Sequence, residues 1–274
     1  MHLTIDYRTD YRFSQPQTRI IQLLRVTPAS HAGQIIVNWT LDVECDVRIR
    51  NHVDGYGNKV TMLYVPGPVD HVSVNVWGEV FTDDTAGVIR DAPEPLPPTL
   101  FLRPTPLSRP SHGISELADR LLELEKDELN RLHLLNRELN RRMTFDPSKT
   151  QVDTDAASAF DASHGVCQDF AHIFCAAARV MGTPARYVSG HLFRRDGLEQ
   201  QPAAHAWTEA YVEGFGWIGF DPTNGICADD AYIRVATGLD YAAAAPLSGA
   251  RTGGGSEDLS VDVRVSMSQS QQQN

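Results

Sequence analysis

Cysteine is scarce in this chain, with four in 274 residues. Cys45, Cys167, Cys175 and Cys227 form neither a C-x-x-C pair nor a cysteine–histidine spacing suited to zinc. Neither a disulfide framework nor a structural zinc site organises such a pattern. Long apolar runs are missing too, so no stretch approaches the roughly 20 residues that cross a bilayer. The opening residues, Met1-His2-Leu3-Thr4-Ile5-Asp6, lack the basic and apolar regions of a secretory leader. The expected location is cytoplasmic, away from membranes. Basic residues are in deficit, 24 Lys and Arg against 35 Asp and Glu, for a net charge of −11. That balance argues against nucleic-acid binding, which needs clustered Lys and Arg along the phosphates. Asp229-Asp230 is too short an acidic run to hold calcium alone. No metal or other cofactor is expected.

What is present divides along the chain. Residues 1–90 carry β-rich or alternating runs at Leu3–Tyr11, Ile20–Val26, Gln34–Val43, Asp46–Val53, Val60–Val65 and His71–Phe81, with turns at Asp54-Gly55 and Gly57-Asn58. Strands at this spacing without helices predict an antiparallel β-sandwich. His31, His52 and His71 are isolated in it, and Trp39 and Trp77 read as core aromatics. Residues 91–112 are proline-rich and form the expected linker, extended over the surface. A core follows over 113–268, and 269–274 form a frayed tail, with fraying expected from 266 and a mobile loop at Gly253–Gly255.

Within the core, Leu117, Leu121, Leu124, Leu132, Leu135 and Leu139 predict one long helix from Ser115 to Met143, with Glu116 and Asp119 in its first turn. A short helix near Asp155–Ala162 is expected to be capped by Asp153 or Thr154. The stretch 165–191 then organises the rest. A glycine loop delivers Cys167 to the first turn of a helix that ends at Gly182, with Pro184 beyond. Backbone N–H groups there have no intrahelical partner and the dipole is positive, so a thiolate is favoured. Cys175, two turns on, reads as packing.

Residues 203–212 alternate strictly, with His205, Trp207, Glu209 and Tyr211 on one side. The chain turns at Glu213-Gly214-Phe215-Gly216 and returns to Asp221-Pro222. His205 and Asp221 share a face only if paired residues sum to an even number, which requires a three-residue loop or a bulge. In that register Asp221 orients the His205 imidazole, which serves Cys167, the order of nucleophile, base and carboxylate. The same three residues also leave open a metal site, or an idle scaffold that binds a partner through its N-terminal strands.

The segments GVCQDFAH and PARYVSGH, AHAWTEAYV, and GWIGFDPTNG together resemble the core of the transglutaminase-like superfamily. YIRVATGLDYAAAAPLSG (232–249) and the closing Leu259, Val261, Val263 and Val265 are similar to the tail of bacterial members, and the N-terminal strands to their β-rich N-terminal region. The resemblance implies a papain-like α+β fold in which the cysteine helix packs on an antiparallel sheet. It also implies Cys167 as nucleophile, His205 as general base and acid, and Asp221 as its orienting carboxylate. Acyl transfer through a thioester is the expected chemistry, with hydrolysis of peptide or amide bonds favoured over protein-glutamine transglutamination. The oxyanion falls to the backbone N–H groups of Cys167 and Gln168. For a side-chain donor, Gln168 and His164 are candidates, and Trp207 and His164 are expected near the substrate. The expected partner is a peptide or amide substrate.

Overall fold

The computed structural model describes residues 1–268. It opens with β1 (His2–Thr27), β2 (Gln34–Val43), β3 (Arg48–Val53) and β4 (Lys59–Thr82). Then come β5 (Val88–Ile89), a 3-10 helix (Pro98–Leu102), α1 (His112–Leu124), α2 (Glu128–Arg142), β6 (Thr144–Phe145), α3 (Ala156–Ala162), β7 (His164–Gly165) and α4 (Cys167–Val180). The remainder is β8 (Ala185–Leu192), β9 (Gln200–Gln201), β10 (His205–Val212), β11 (Gly216–Asp221), β12 (Ile226–Cys227), β13 (Tyr232–Gly238), α5 (Tyr241–Ala244), β14 (Leu247–Thr252) and β15 (Glu257–Met267). Two large antiparallel sheets with helices grouped on the second make the fold α+β.

The first sheet runs β2-β4-β1-β15-β9, with β14 also on β1 and β3 also on β4. The strands read separately from the sequence, Leu3–Tyr11 with Ile20–Val26 and Val60–Val65 with His71–Phe81, are the two halves of β1 and of β4. Buried apolar positions in β1 are odd-numbered from Leu3 to Phe13 and even-numbered from Ile20 to Val26. Register shifts between Arg12 and Arg19 cause that change, because extra residues reverse which pleat faces inward. Both halves therefore turn into one core with Leu63, Val65, Val72, Val74 and Val76. At the bend a Cβ on Gly67 would lie 2.1 Å from the Gln17 carbonyl oxygen, so only glycine fits. The expected antiparallel sandwich is therefore built from one continuous sheet, bent so that both halves face a common core. Trp77 is not core: it is 44% exposed on the outer side. Trp39 lies across Gly78 and donates from Nε1 to the Val26 carbonyl (3.0 Å).

Four further expectations change. The closing strands β14 and β15 pair with β1, and β15 carries Ser266 and Met267 in register with Thr4 and Leu3, so these two residues are strand rather than frayed. The expected tail at 269–274 lies outside the described residues. The leucine stripe belongs to two helices: Ser111 caps α1 by accepting from the Ile114 N–H, and Asp127 starts α2 by accepting from that of Asn130. Asp155, rather than Asp153 or Thr154, caps α3. The proline-rich stretch is a packed strap instead of a free linker, since Phe101 is 2% exposed and Glu94 bonds the buried Arg186.

The second sheet runs β12-β11-β10-β8-β13, with β5 also on β11. Ala185, Ala210, Val212, Ile218 and Phe220 face α4, around which α1, α2 and α3 contribute Leu117, Leu121, Leu135, Leu139 and Phe160. The two sheets join at β13, whose Ile233 and Val235 enter the first core. There, two buried amides stand in for a missing neighbour strand. Gln34 exchanges hydrogen bonds with the Arg234 carbonyl (2.9 Å) and N–H (2.8 Å), and Asn58 with those of Thr237 (both 2.8 Å). Gln34→Leu is expected to cost about 2 kcal/mol by leaving both backbone groups unpaired in the interior. Urea unfolding measures it, and a loss under about 0.5 kcal/mol would show the pairing to be dispensable.

Candidate active site

The β10–β11 hairpin decides whether the site can form. Thr208 pairs with Phe220 and Val212 with Gly216, leaving the three-residue loop Glu213-Gly214-Phe215. Gly214 and Gly216 take φ of 83° and 84°, the left-handed region that this turn requires. Odd-numbered residues of both strands therefore share a face, and the His205 Nε2–H donates to Asp221 Oδ2 at 2.7 Å.

Asp221 is fully buried yet anionic, because every direction around it supplies a donor. Oδ1 accepts the backbone N–H groups of Thr223 (2.9 Å) and Asn224 (3.2 Å). Oδ2 accepts Asn224 Nδ2 (2.6 Å) and the Tyr232 hydroxyl (2.8 Å) in addition to His205. Burial pushes the carboxyl up, but the His205 charge and these hydrogen bonds outweigh it and hold the group below its ordinary value. For His205, burial works against protonation, while the Asp221 charge and hydrogen bond, followed by a hydrogen bond with Cys167, raise it to about 10. Both shifts favour the charged pair. Since Nε2 is engaged by Asp221, Nδ1 is the nitrogen available to the thiol.

Cys167 is the first residue of α4 and half-buried. The helix entry is shaped by Asp169, whose Oδ2 accepts the Val166 N–H and the Thr150 hydroxyl, both at 2.8 Å. Gly165 is obligatory here, because a Cβ would fall 2.7 Å from the Asp169 side chain. The first-turn N–H groups of Cys167 and Gln168 lie beyond the reach of the helix's own carbonyls. Burial pushes the other thiols up, Cys175 and Cys227 both to about 11.

The other candidate side chains have partners of their own. Trp207 is 1% exposed and stacks beside the His205 ring, with centroids 6.1 Å apart, so it supports the imidazole and is not an exposed substrate contact. Gln168 spends its side-chain amide on the Val152 carbonyl (2.8 Å), and the ring of His164 is tied through Nδ1 to the Ala162 carbonyl (2.6 Å). Asn224 and Tyr232 were missed by sequence reasoning. Asn224 sits inside GWIGFDPTNG, whereas nothing in the spacing marks Tyr232. Among the described residues no group of three or more His, Cys, Asp or Glu is placed to hold a metal ion, and no helix is long and apolar enough to cross a membrane.

The buried histidines give stability a two-sided pH dependence. Burial pushes His31, His172 and His191 down to about 4, so what they contribute is present above their unfolded value of about 6.5 and lost as pH falls toward 4. His205 has the opposite sign: its contribution is complete below about 6.5 and lost as pH rises through about 10. The melting temperature is expected to peak near neutrality and fall on both sides. A profile that stays level from pH 4.5 to 10 would contradict these assignments.

Residues 115–222 match the family described as the transglutaminase-like superfamily, and residues 3–80 match the bacterial transglutaminase-like N-terminal region. The chain is 28% identical over 281 residues to an uncharacterised protein of Mycobacterium leprae, covering 96% of this chain and 98% of that one. It is 30% identical over 166 residues to a protein-glutamine gamma-glutamyltransferase of Pseudomonas aeruginosa, covering 52% of this chain but 24% of that protein. In structure it is similar to a candidate cysteine protease from Cytophaga hutchinsonii, with a TM-score of 0.78 over 97% of this chain and 90% of that one. At 22% identity that likeness is one of fold.

Proposed function

Because the chain belongs to the transglutaminase-like superfamily, we propose that it is a thiol-dependent acyl-transfer enzyme that hydrolyses peptide or amide bonds through Cys167, His205 and Asp221. The observation that carries this reading is the imidazole held by a buried carboxylate at 2.7 Å and facing a thiol at a helix start. Other arrangements of the same residue types lack the reason for burying Asp221 among five donors.

In this mechanism the Cys167 sulfur attacks the carbonyl carbon and a C–S bond forms. The carbonyl oxygen becomes an oxyanion held by the backbone N–H groups of Cys167 and Gln168. The His205 Nδ1–H protonates the leaving amine as the C–N bond breaks, leaving a thioester. Neutral His205 then takes a proton from water, whose oxygen attacks the thioester, and the C–S bond breaks to release the acid. Asp221 keeps its charge throughout and stabilises the imidazolium.

An amine in place of water would make the protein a transglutaminase, a second reading favoured by its similarity to the Pseudomonas aeruginosa protein-glutamine gamma-glutamyltransferase. A panel of peptide, isopeptide and γ-glutamyl amides, assayed with and without a primary amine against Cys167→Ala as the blank, separates the two. Hydrolysis is expected to dominate whether or not amine is added; an amine adduct as main product would favour the second reading. An idle scaffold would turn over none of the panel, and its Cys167 would react with iodoacetamide no faster than Cys45, Cys175 or Cys227.

A further inference from the structure

Three donors converge on one oxygen of Asp221: His205 Nε2 at 2.7 Å, Asn224 Nδ2 at 2.6 Å and the Tyr232 hydroxyl at 2.8 Å. Satisfying a buried carboxylate does not need that many, since Oδ1 already takes two backbone N–H groups. The surplus donors compete with the imidazolium for the same negative charge. From this crowding we infer that Tyr232, assisted by Asn224, is a positioning residue that limits how tightly Asp221 holds the proton of His205, and so keeps His205 acidic enough to protonate a leaving group. The inference rests on the triad reading above.

The placement of Tyr232 suits that role. Its ring is 5.3 Å from Trp207 in an edge contact and 6.0 Å from His205, so the hydroxyl is carried by a packed, 6%-exposed side chain. Burial, then the charge of Asp221, push its phenol far up, so it remains a donor wherever the enzyme is folded. Tyr232→Phe keeps the ring and deletes only the oxygen, leaving Oδ2 with two donors and no orphaned group. What changes is the sharing of charge. Oδ2 becomes more negative toward His205, and the imidazolium becomes a weaker acid.

The test needs no substrate. Alkylation of Cys167 by iodoacetamide, followed across pH by mass spectrometry of its peptide, is expected to rise in two steps. The lower step forms the thiolate–imidazolium pair, and the upper marks loss of the His205 proton. In Tyr232→Phe the upper step is expected about 0.5 to 1 pH unit higher. Asn224→Ala, which removes the other side-chain donor from the same oxygen, should move it the same way. An upper step that stays in place or falls in both variants overturns the inference while leaving the triad intact. Absence of the lower step in the wild-type protein removes the triad reading and this inference with it.

Discussion

Replacement of Asp221 by alanine is expected to lower kcat/KM about 10⁴-fold, with Asp221→Asn nearly as damaging. The reason lies in the balance of effects on His205. Burial alone drives the ring toward the neutral form, and the carboxylate is the largest influence opposing it. Without that charge the imidazole is neutral in the range where the wild type is an imidazolium, so the thiol loses its paired cation. The asparagine variant adds a second fault. An amide N–H placed where Oδ2 now accepts would make Nε2 the acceptor and send the ring proton to Nδ1, the nitrogen that should take a proton from Cys167 or from water. Alkylation of Cys167 near pH 6 should fall to the rate of an ordinary thiol in both variants. Combining either with Cys167→Ala should cost no more than Cys167→Ala alone, because the three residues act as one unit. Retention of activity within tenfold in Asp221→Ala would end the triad reading.

How much of this was legible in the sequence depends on how local the determining physics is. The helix start at Cys167 and the shared face of His205 and Asp221 could be read, because a glycine loop and a three-residue turn convert directly into side-chain direction. The bends in β1 and β4 could not. Whether inward positions are odd or even beyond Gln17 depends on where the partner strand slips, and the slip is set by the close approach of Gly67 to Gln17. The break at Glu125–Asp127 falls where the leucine rhythm already pauses between Leu124 and Leu129, but two good leucine stripes hide it. Tyr232 was invisible for another reason. Its partners Trp207, Asp221 and His205 lie on other strands, and an alternating apolar run around it reads only as β13. The strap carrying Glu94 and Phe101 was misread because proline content reports backbone stiffness and says nothing about what the intervening residues touch.

Glu209 should be the most costly position for stability outside the apolar core. On the same face of β10 as His205, it is fully buried and joins two arginines, Arg186 on the adjacent β8 and Arg234 on β13 beyond it. Arg186 Nε donates to it at 2.6 Å and Arg234 Nε at 2.7 Å. Burial pushes its carboxyl up, yet the two guanidinium groups prevail and hold it down at about 2. Arg186 also bonds Glu94 in fork geometry (2.6 and 2.9 Å) and lies 3.9 Å over the Trp217 ring. Two positive and two negative charges thus balance inside the protein. Glu209→Ala leaves Arg186 to Glu94 alone and strips Arg234 of its carboxylate, so a loss of about 3 to 5 kcal/mol is expected. That corresponds to roughly 10 °C in melting temperature. Glu94→Ala should cost far less, because Glu94 is a third exposed and its removal leaves Arg186 paired with Glu209. Replacing Glu209, Arg186 and Arg234 together by apolar residues of similar volume should recover most of the loss, since an unpaired buried charge is worse than no charge. Throughout, kcat per folded molecule should hold steady, because the network touches neither Cys167 nor the Asp221 carboxylate. A Glu209→Ala protein as stable as wild type would mean that water reaches these arginines despite their burial.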